Sequence, residues 1–576
     1  MSSTAAFPQR GSRTALRSQS GMAPVPRSLV WAIGIGIVLT YLALLGTYRL
    51  AEPDEPRYAE IAREMIELRD WVTPHLNYVK YFEKPPLVYW LTAVNFAVFG
   101  SSEFIARLWP ACFGLTGIAV AFLLGQSMYG LWTGYVAAAL LATSPLYFGL
   151  SQVLILDMPL SGLMAIGLAA FWFAYDSRAA AAGGARGRQL MILLLYVATA
   201  LSVLAKGPVA AVLTGGIIVL FLLLRGDLRA LRWVLWPPGL IVFAVITLPW
   251  FVLVSRRNPE FLRFFVVDQH LKRFLAPNEH QQGLWFFVPI VWGGMLPWSA
   301  FVLFAPGRMR RFVTRVLRRR VSAATLFCLT WSGVIFAFFS LSGSKLATYV
   351  VPMFCPMAIM GARWFERLLA ARQHRAPVRG CVALLVAGIL TVIGAAVAAA
   401  VLDQPKVGLI ITRAYAGGCL MAAMATVALI ELRRRSGQGW LLVLIVGMLA
   451  LQLVAITGRG VATDYRDLGL VIRTQARPQD LVVLYNHYVQ GIPFYARRRA
   501  VVVGGHGELD FGSRQGDQSA FFWPKDDQLL QAWQSGRHVF LVINRLELEP
   551  LLPRLQPAPR QVAAQGKKVL IVNFAG

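Results

Sequence analysis

Acidic residues are scarce: 28 Asp and Glu stand against 56 Lys and Arg in 576 residues, and charges of both signs make up only 15% of the chain. With 57% hydrophobic residues, there is far more apolar surface than one soluble core can bury. A soluble multidomain protein is thereby excluded. Cysteine is rarer still. Cys112, Cys328, Cys355, Cys381 and Cys419 all fall inside apolar segments without metal-ligand spacing, so neither a disulfide framework nor a cysteine zinc site is expected. The chain also lacks a nucleotide-binding glycine pattern, an internal repeat, and a small-residue cleavage site after its first apolar run. The net charge of +28 would point to nucleic acid in a soluble protein. Here much of it sits in short loops between apolar runs, where membrane topology accounts for it, and no nucleic-acid partner is expected.

Apolar runs of roughly 17 to 25 residues, the length that spans a bilayer, occur about 13 times: 29–48, 104–125, 131–150, 155–175, 190–205, 208–224, 233–254, 285–305, 323–341, 346–370, 380–401, 407–430 and 439–457. Around Lys206 two half-length helices are expected to meet at the membrane face. Residues 1–27, rich in Ser, Arg and Pro, read as a disordered cytoplasmic tail before a retained first span. Loop arginines set the sidedness. With the N-terminus inside, the cytoplasmic loops carry Arg178, Arg186 and Arg188; Arg225, Arg229 and Arg232; the run from Arg308 to Arg320; Arg372, Arg375 and Arg379; and Arg433 to Arg435. An odd span count then puts outside the first loop (49–103), the loop near Ser151, the Lys206 turn, the 255–284 loop, the Lys345 turn and the C-terminus.

After residue 458 the composition turns soluble. Short β-rich runs at Leu481 to Tyr485, Ala500 to Val503, Val539 to Ile543 and Val569 to Phe574, with a helix near Asp527 to Trp533, predict a small α/β domain over 459–576. It suggests no catalytic constellation of its own.

The chemistry-bearing residues gather in the outside loops. In AEPDEPRYAEIAREMIEL, Ile61, Met65, Ile66 and Leu68 recur at helical spacing, which predicts an amphipathic helix in the membrane interface after a Pro53 to Pro56 turn. Glu52, Asp54 and Glu55 on that stiffened turn suit a general base or a cation site, with a merely solvated turn as the alternative. In YFEKPPLVYW, Pro85 and Pro86 open a helix. Lys84 beside them is a phosphate ligand or a snorkelling lysine, and Glu83 a ligand for a metal or for a substrate amine. Asp157, at the start of a span with no charge nearby in sequence, and Lys206, where Gly207 and Pro208 break a helix, are costly at that depth and point to a cavity. VVDQHLKRFLAP supplies Asp268, His270, Lys272 and Arg273 beside Phe261, Phe264, Phe265 and Phe274. His270 is either a ligand with Glu83 or an ordinary hydrogen-bonding residue. Lys345 and Tyr349, four apart, are expected on one helical face. Ionisable groups gathered at one face fit a surface enzyme, whereas a transporter distributes them through the bilayer depth and commonly shows paired halves.

In order and spacing, AEPDEPRYAEIAREM, FEKPPLVYW, LDMPL, LAKGP and SKLATYVVP resemble the GT-C glycosyltransferases of the protein mannosyltransferase superfamily, most closely the bacterial lipid A aminoarabinose transferases, over residues 29 to about 460. The resemblance implies a polytopic α-helical GT-C fold with amphipathic juxtamembrane helices and a C-terminal α/β domain, in the bacterial inner membrane with its active site periplasmic. It implies Asp54 and Asp157 as catalytic carboxylates. Arg57, Tyr81 and Lys84, with Lys206, Lys345 and Tyr349, would bind the phosphate of an undecaprenyl-phosphate-linked sugar donor, and Glu83 and His270 a divalent ion such as zinc. Lipid A would be the acceptor, a monomer the working form, and resistance to cationic peptides such as polymyxin the outcome. Transfer of a hexose or mannose to protein, glycan or another lipid is the alternative within enzymes, and a lipid-linked sugar transporter the alternative outside them.

Overall fold

The computed structural model of the chain describes residues 26–272, 281–318, 320–401, 405–434, 437–457 and 463–574. The tail to residue 25, Arg273, Phe274 and the 458–462 junction lie outside the described residues, as does the side chain of His270. Each of the thirteen apolar runs coincides with a helix or a broken helix. Among the described residues eight helices are long and apolar enough to cross a membrane by themselves, nine with one bent pair. Along the Arg375–Val401 helix, Val382, Val386, Ile389, Ile393 and Val397 are exposed at helical spacing, an apolar stripe suited to a lipid surrounding.

Three runs differ from the expected single spans. Run 131–150 is a bent pair, α5 (Leu131–Ala142) and α6 (Pro145–Ser151), at 66°. Pro145 cannot continue the α5 ladder, and the carbonyl freed at Ala142 is satisfied by the Tyr41 hydroxyl at 3.0 Å and the Gln452 amide at 3.0 Å. Run 285–305 breaks at Pro297 into Phe287–Gly294 and Trp298–Leu303. Run 346–370 opens with a 3₁₀ turn, Ala347–Met353, before the Phe354–Ala370 helix. Near Lys206 the helices are not half-length: α8 (Gly184–Lys206) spans 23 residues and α9 (Val209–Arg225) spans 17. Gly207, at φ +98°, makes the turn between them.

The first loop is folded. It holds α2 (Asp54–Glu67), the hairpin β1 (His75–Leu76) and β2 (Val79–Lys80), and α3 (Leu87–Phe99). The amphipathic helix expected here is α2, and its apolar face is turned into protein. Ile61, Ala62 and Met65 are buried in a cluster shared with Phe494, Tyr495, Val502 and Leu509, so α2 is sandwiched between the helical bundle and the C-terminal domain. It also begins at Asp54 itself, with Pro56 accommodated in the first turn, where a proline removes no hydrogen bond.

The C-terminal domain is a six-stranded mixed sheet, ordered β5-β4-β3-β6-β8-β7, of β3 (Leu481–Tyr485), β4 (Val501–Val503), β5 (Phe522–Trp523), β6 (Val539–Asn544), β7 (Arg560–Gln565) and β8 (Lys568–Val572). Val483 pairs in parallel with both Val501 and Leu541. Central strands such as β3 are buried on both faces and read as continuous apolar runs.

Candidate active site

Asp54 and Arg57 sit one turn apart at the start of α2. The Arg57 guanidinium, buried, donates Nη1 to Asp54 Oδ1 at 3.0 Å and Nη2 to Glu508 Oε1 at 2.5 Å. Burial lowers the Arg57 pKa, but Tyr81, Tyr58, Glu508 and Asp54 outweigh it and keep the cation. Its Nε is buried without an acceptor among the described residues, as are the hydroxyls of Tyr81 and Tyr89. Burial, reinforced by Glu83 and opposed by Arg57, holds the Tyr81 phenol well above its usual range, so it is a proton-bearing donor at neutral pH. Unpaired buried donors are costly, and three around one spot mark a place where an anionic ligand would complete the site.

The hairpin aims this group. Asn77, at φ +54°, takes the left-handed conformation that asparagine tolerates. Its amide donates to the Ala500 carbonyl at 2.9 Å and accepts from the Ala500 N–H at 2.9 Å, docking the hairpin tip on the C-terminal domain. The chain leaving β2 then carries Tyr81, Glu83 and Lys84, the latter two half-buried, into α3. Phe82 packs on Phe261 and Phe511, tying this stretch to the loop after the Pro237–Arg257 helix and to the C-terminal domain.

Asp157, at the start of α7 (Asp157–Tyr175), forms an ion pair with Lys206 at the end of α8. The Lys206 ammonium also lies 4.6 Å from the centre of the Tyr349 ring. The solitude of Asp157 was local to the sequence: its counter-charge arrives from 49 residues away. Tyr58 joins the two halves of the site, its phenol being within electrostatic reach of Arg57, Asp54, Glu83 and Asp157 together. Leu156 and Ala205 pack in the same cluster as Tyr58, Tyr81 and Tyr89.

Other expected members go elsewhere. Lys345 and Tyr349 share no face, because Lys345 precedes the helical turn that starts at Ala347. The Lys345 ammonium donates to the carbonyls of Gln282 at 2.9 Å and Ser342 at 2.6 Å, clamping two loops together. Asp268 and Lys272 pair with each other at 2.6 Å on an exposed helical face. The carboxylate trio divides. Glu52 turns to the C-terminal domain and accepts from the Gly491 N–H at 2.6 Å. Glu55 is buried against Arg107, Nε to Oε1 at 2.7 Å and Nη2 to Oε2 at 2.8 Å. Of the three, only Asp54 bonds to Arg57 among the described residues. For a metal, the described residues contain no group of three or more His, Cys, Asp or Glu side chains that could hold an ion, and Glu83 is the one expected donor among them.

Sequence reading passes over four participants. Arg107 lies inside a run read as a span, and Tyr58 and Tyr89 look like ordinary apolar residues of α2 and α3. Glu508 comes from the domain credited with no chemistry, and its GGHGELDF turn gives no local sign of the distant Arg57.

The chain is similar to several known proteins. Residues 29–265 match the family described as dolichyl-phosphate-mannose-protein mannosyltransferase, and residues 468–573 the aminoarabinose transferase C-terminal domain. The undecaprenyl phosphate-alpha-4-amino-4-deoxy-L-arabinose arabinosyl transferase of Enterobacter sp. (strain 638) is 31% identical over 346 residues, 58% of this chain and 59% of that protein. Transferase 2 of the same description from Pseudomonas fluorescens is 34% identical over 366 residues, 62% of this chain and 60% of that one. The matched stretch thus spans about three fifths of these relatives' length. The crystal structure of ArnT from Cupriavidus metallidurans bound to undecaprenyl phosphate superposes with a TM-score of 0.85 at 28% identity, covering 96% of this chain and 99% of that one. The apo oligosaccharyltransferase of Archaeoglobus fulgidus, at 14% identity and a TM-score of 0.53 over 90% of this chain and 69% of that one, shares the fold alone.

Proposed function

We propose that the chain is a GT-C glycosyltransferase of the protein mannosyltransferase-like group that moves 4-amino-4-deoxy-L-arabinose from undecaprenyl phosphate to a phosphate of lipid A. The observation that carries this reading is the convergence of Asp54 and Arg57, the Tyr81 to Lys84 stretch, and the Asp157, Lys206 and Tyr349 group at one end of the bundle, in a chain that superposes on an undecaprenyl phosphate-bound relative along nearly its whole length. Loop arginines make that end periplasmic, and the chain works as a monomer in the inner membrane.

In the reaction an oxygen of the acceptor phosphate attacks the anomeric carbon of the sugar. The bond from that carbon to the donor phosphate oxygen breaks, and undecaprenyl phosphate leaves with the electron pair. Arg57, with its spare Nε, the Tyr81 hydroxyl and Lys84 are the donors proposed to hold the leaving phosphate as its charge grows. Lys206 and Tyr349 flank it from the bundle side, with Asp157 fixing the ammonium. Lys345, committed to two carbonyls, contributes by holding the Gln282 loop. A phosphate nucleophile is already ionised, so Asp54 need not remove a proton and instead orients the acceptor or the sugar amine. Glu83 and His270 are the proposed pair for a divalent ion such as zinc, and no step here runs through it.

The mannosyltransferase match over 29–265 supports a runner-up, transfer of a hexose to a protein hydroxyl, in which Asp54 would have to act as base. The aminoarabinose transferase C-terminal match weighs against it. Mass spectrometry of lipid A from cells with and without the gene separates the two. Aminoarabinose on lipid A that depends on the gene is the expected result, and an unchanged lipid A spectrum would sink the sugar and acceptor assignment.

A further inference from the structure

At the far end of the bundle from Asp54, the fold contains a cavity of about 380 Å³ that the transfer reaction does not use. Its position follows from the Phe354–Ala370 helix, which starts beside Tyr349 and ends with Arg363 and Arg367 on the cavity wall. At 1.5 Å per residue Arg363 and Arg367 lie roughly 14 to 20 Å along the axis from the end beside Tyr349. The second wall is the Pro306–Leu317 helix, which contributes Arg308, Arg311 and Arg315. The floor is apolar, with Trp292, Met295, Met357 and Met360 among its residues.

Five arginines line the cavity and no acidic residue does. The neighbouring carboxylate, Glu366, is engaged by Arg363 and by the Thr133 hydroxyl at 2.8 Å. Arg308 is depressed, first by partial burial and then by repulsion from Arg311, as expected where like charges share a site. Two N–H groups on the lining residues, Nε of Arg363 and Nε1 of Trp364, are buried without an acceptor among the described residues. The Pro306–Leu317 helix has charges on one face and Met309, Phe312, Val313 and Val316 on the other, yet none of its residues is more than partly buried. Sidedness requires arginines somewhere in this loop. It does not require them to converge, from two elements far apart in sequence, over an apolar cavity that contains spare donors.

We propose that this cavity binds an anionic phospholipid of the leaflet on the arginine-rich side, its phosphate held by Arg308, Arg311, Arg315, Arg363 and Arg367 and its acyl chains lying on the apolar floor beneath the Pro306–Leu317 helix. Arginine forks match phosphate oxygens in pairs, and basic pockets between spans suit anionic headgroups. The glycosyl-transfer reading is not needed for this site. Sidedness enters only in naming the leaflet, which loop arginines make cytoplasmic.

Native mass spectrometry of the full chain in neutral detergent, titrated with phosphatidylglycerol or phosphatidylcholine, tests it. The intact chain should retain phosphatidylglycerol at concentrations that leave it free of phosphatidylcholine. Replacing Arg308, Arg311 and Arg315 together by Ala should weaken retention by about fivefold each and roughly a hundredfold in all. The Arg→Lys triple variant, which keeps the charge on a helix with no buried residue, should retain most of the binding and shows that loss in the Ala variant is not misfolding. Equal retention of the two lipids, undiminished phosphatidylglycerol binding by the Ala variant, or full displacement of the lipid by millimolar inorganic phosphate would each overturn the proposal.

Discussion

Asp54 and Glu55 are chain neighbours with the same chemistry, and the structure gives them opposite roles. Glu55 holds Arg107, all five of whose N–H groups are used: Nε and one Nη2 bond on the carboxylate, and the rest on the carbonyls of Leu45 at 2.8 Å, Tyr48 at 2.7 Å and Arg49 at 2.8 Å. Glu55 also accepts from the N–H groups of Ala51 and Leu154, each at 2.9 Å, so it ties the start of the first loop to α4 (Glu103–Tyr129) and to the turn before Asp157. Glu55→Ala leaves a fully buried guanidinium with no counter-charge, a change worth about 3–5 kcal/mol. Arg107→Met added to Glu55→Ala should restore part of that loss, because the pair's absence is cheaper than a lone buried charge. The Asp54 carboxylate is 52% exposed, and its bond to Arg57 is worth at most about 1 kcal/mol. Thermal unfolding of the full chain in detergent, run beside a transfer assay, separates these roles. Glu55→Ala should unfold at a markedly lower temperature and gain from the second substitution, whereas Asp54→Ala should unfold like the parent and fail to transfer sugar. A stable Glu55→Ala, or an Asp54→Ala that unfolds early, would refute the division.

Three further outcomes follow from the same contacts. Burial pushes the Glu52 carboxyl up to about 7, against the bonds from the Gly491 and Gln490 backbone. Between the ordinary carboxylate range and that value the folded chain binds more protons than the unfolded one, so this group's contribution to stability falls as pH rises through the window. Glu52→Gln should therefore gain stability over the parent at pH 8 and show little difference at pH 4, as read by melting curves at the two values; a parallel pair of curves would disprove the linkage. Asp157→Asn should keep the fold while lowering transfer, and Lys206→Met should do the same. Because the two groups form one pair, the double variant should lose little more than either single one, and additive losses would count against a shared role. Asn77→Ala strains a position at φ +54° and removes both bonds to Ala500, so it should cost about 1–3 kcal/mol and expose the 77–84 stretch to protease. Unchanged cleavage would mean that the hairpin is held by something else.

How much of this was legible in the sequence depended on whether the deciding interaction was local. Helix positions were, because apolar runs and loop arginines are one-dimensional signals, and β3, β4, β6 and β8 were, because strands buried on both faces are continuously apolar. The edge strand β7 reads RQVAAQ and β5 has two residues, and neither leaves a pattern. The bends at Pro145 and Pro297 were signalled by proline, but a broken span and a straight one have the same hydropathy. Within the site, Arg57 and Tyr81 followed only from the family resemblance, whereas Asp54, Lys84, Asp157, Lys206 and Tyr349 could be singled out because charged, phenolic or helix-breaking residues at the membrane edge are unusual. Their partners could not. Glu508 reaches Arg57 across the whole length of the bundle's sequence, and Glu52 and Glu55 differ from Asp54 only in which way the start of α2 turns each side chain.

The central claim is sugar transfer from a prenyl phosphate at the Asp54 and Asp157 face, and it is tested most directly with the purified chain in lipid bilayers. The bilayers would contain undecaprenyl phosphate-linked aminoarabinose and lipid A, and the lipid A would be weighed by mass spectrometry. The account predicts that the parent chain adds aminoarabinose to lipid A and that Asp54→Asn and Asp157→Asn, inserted and folded equally well, do not. Undiminished transfer by both variants, or none by the parent, would contradict it.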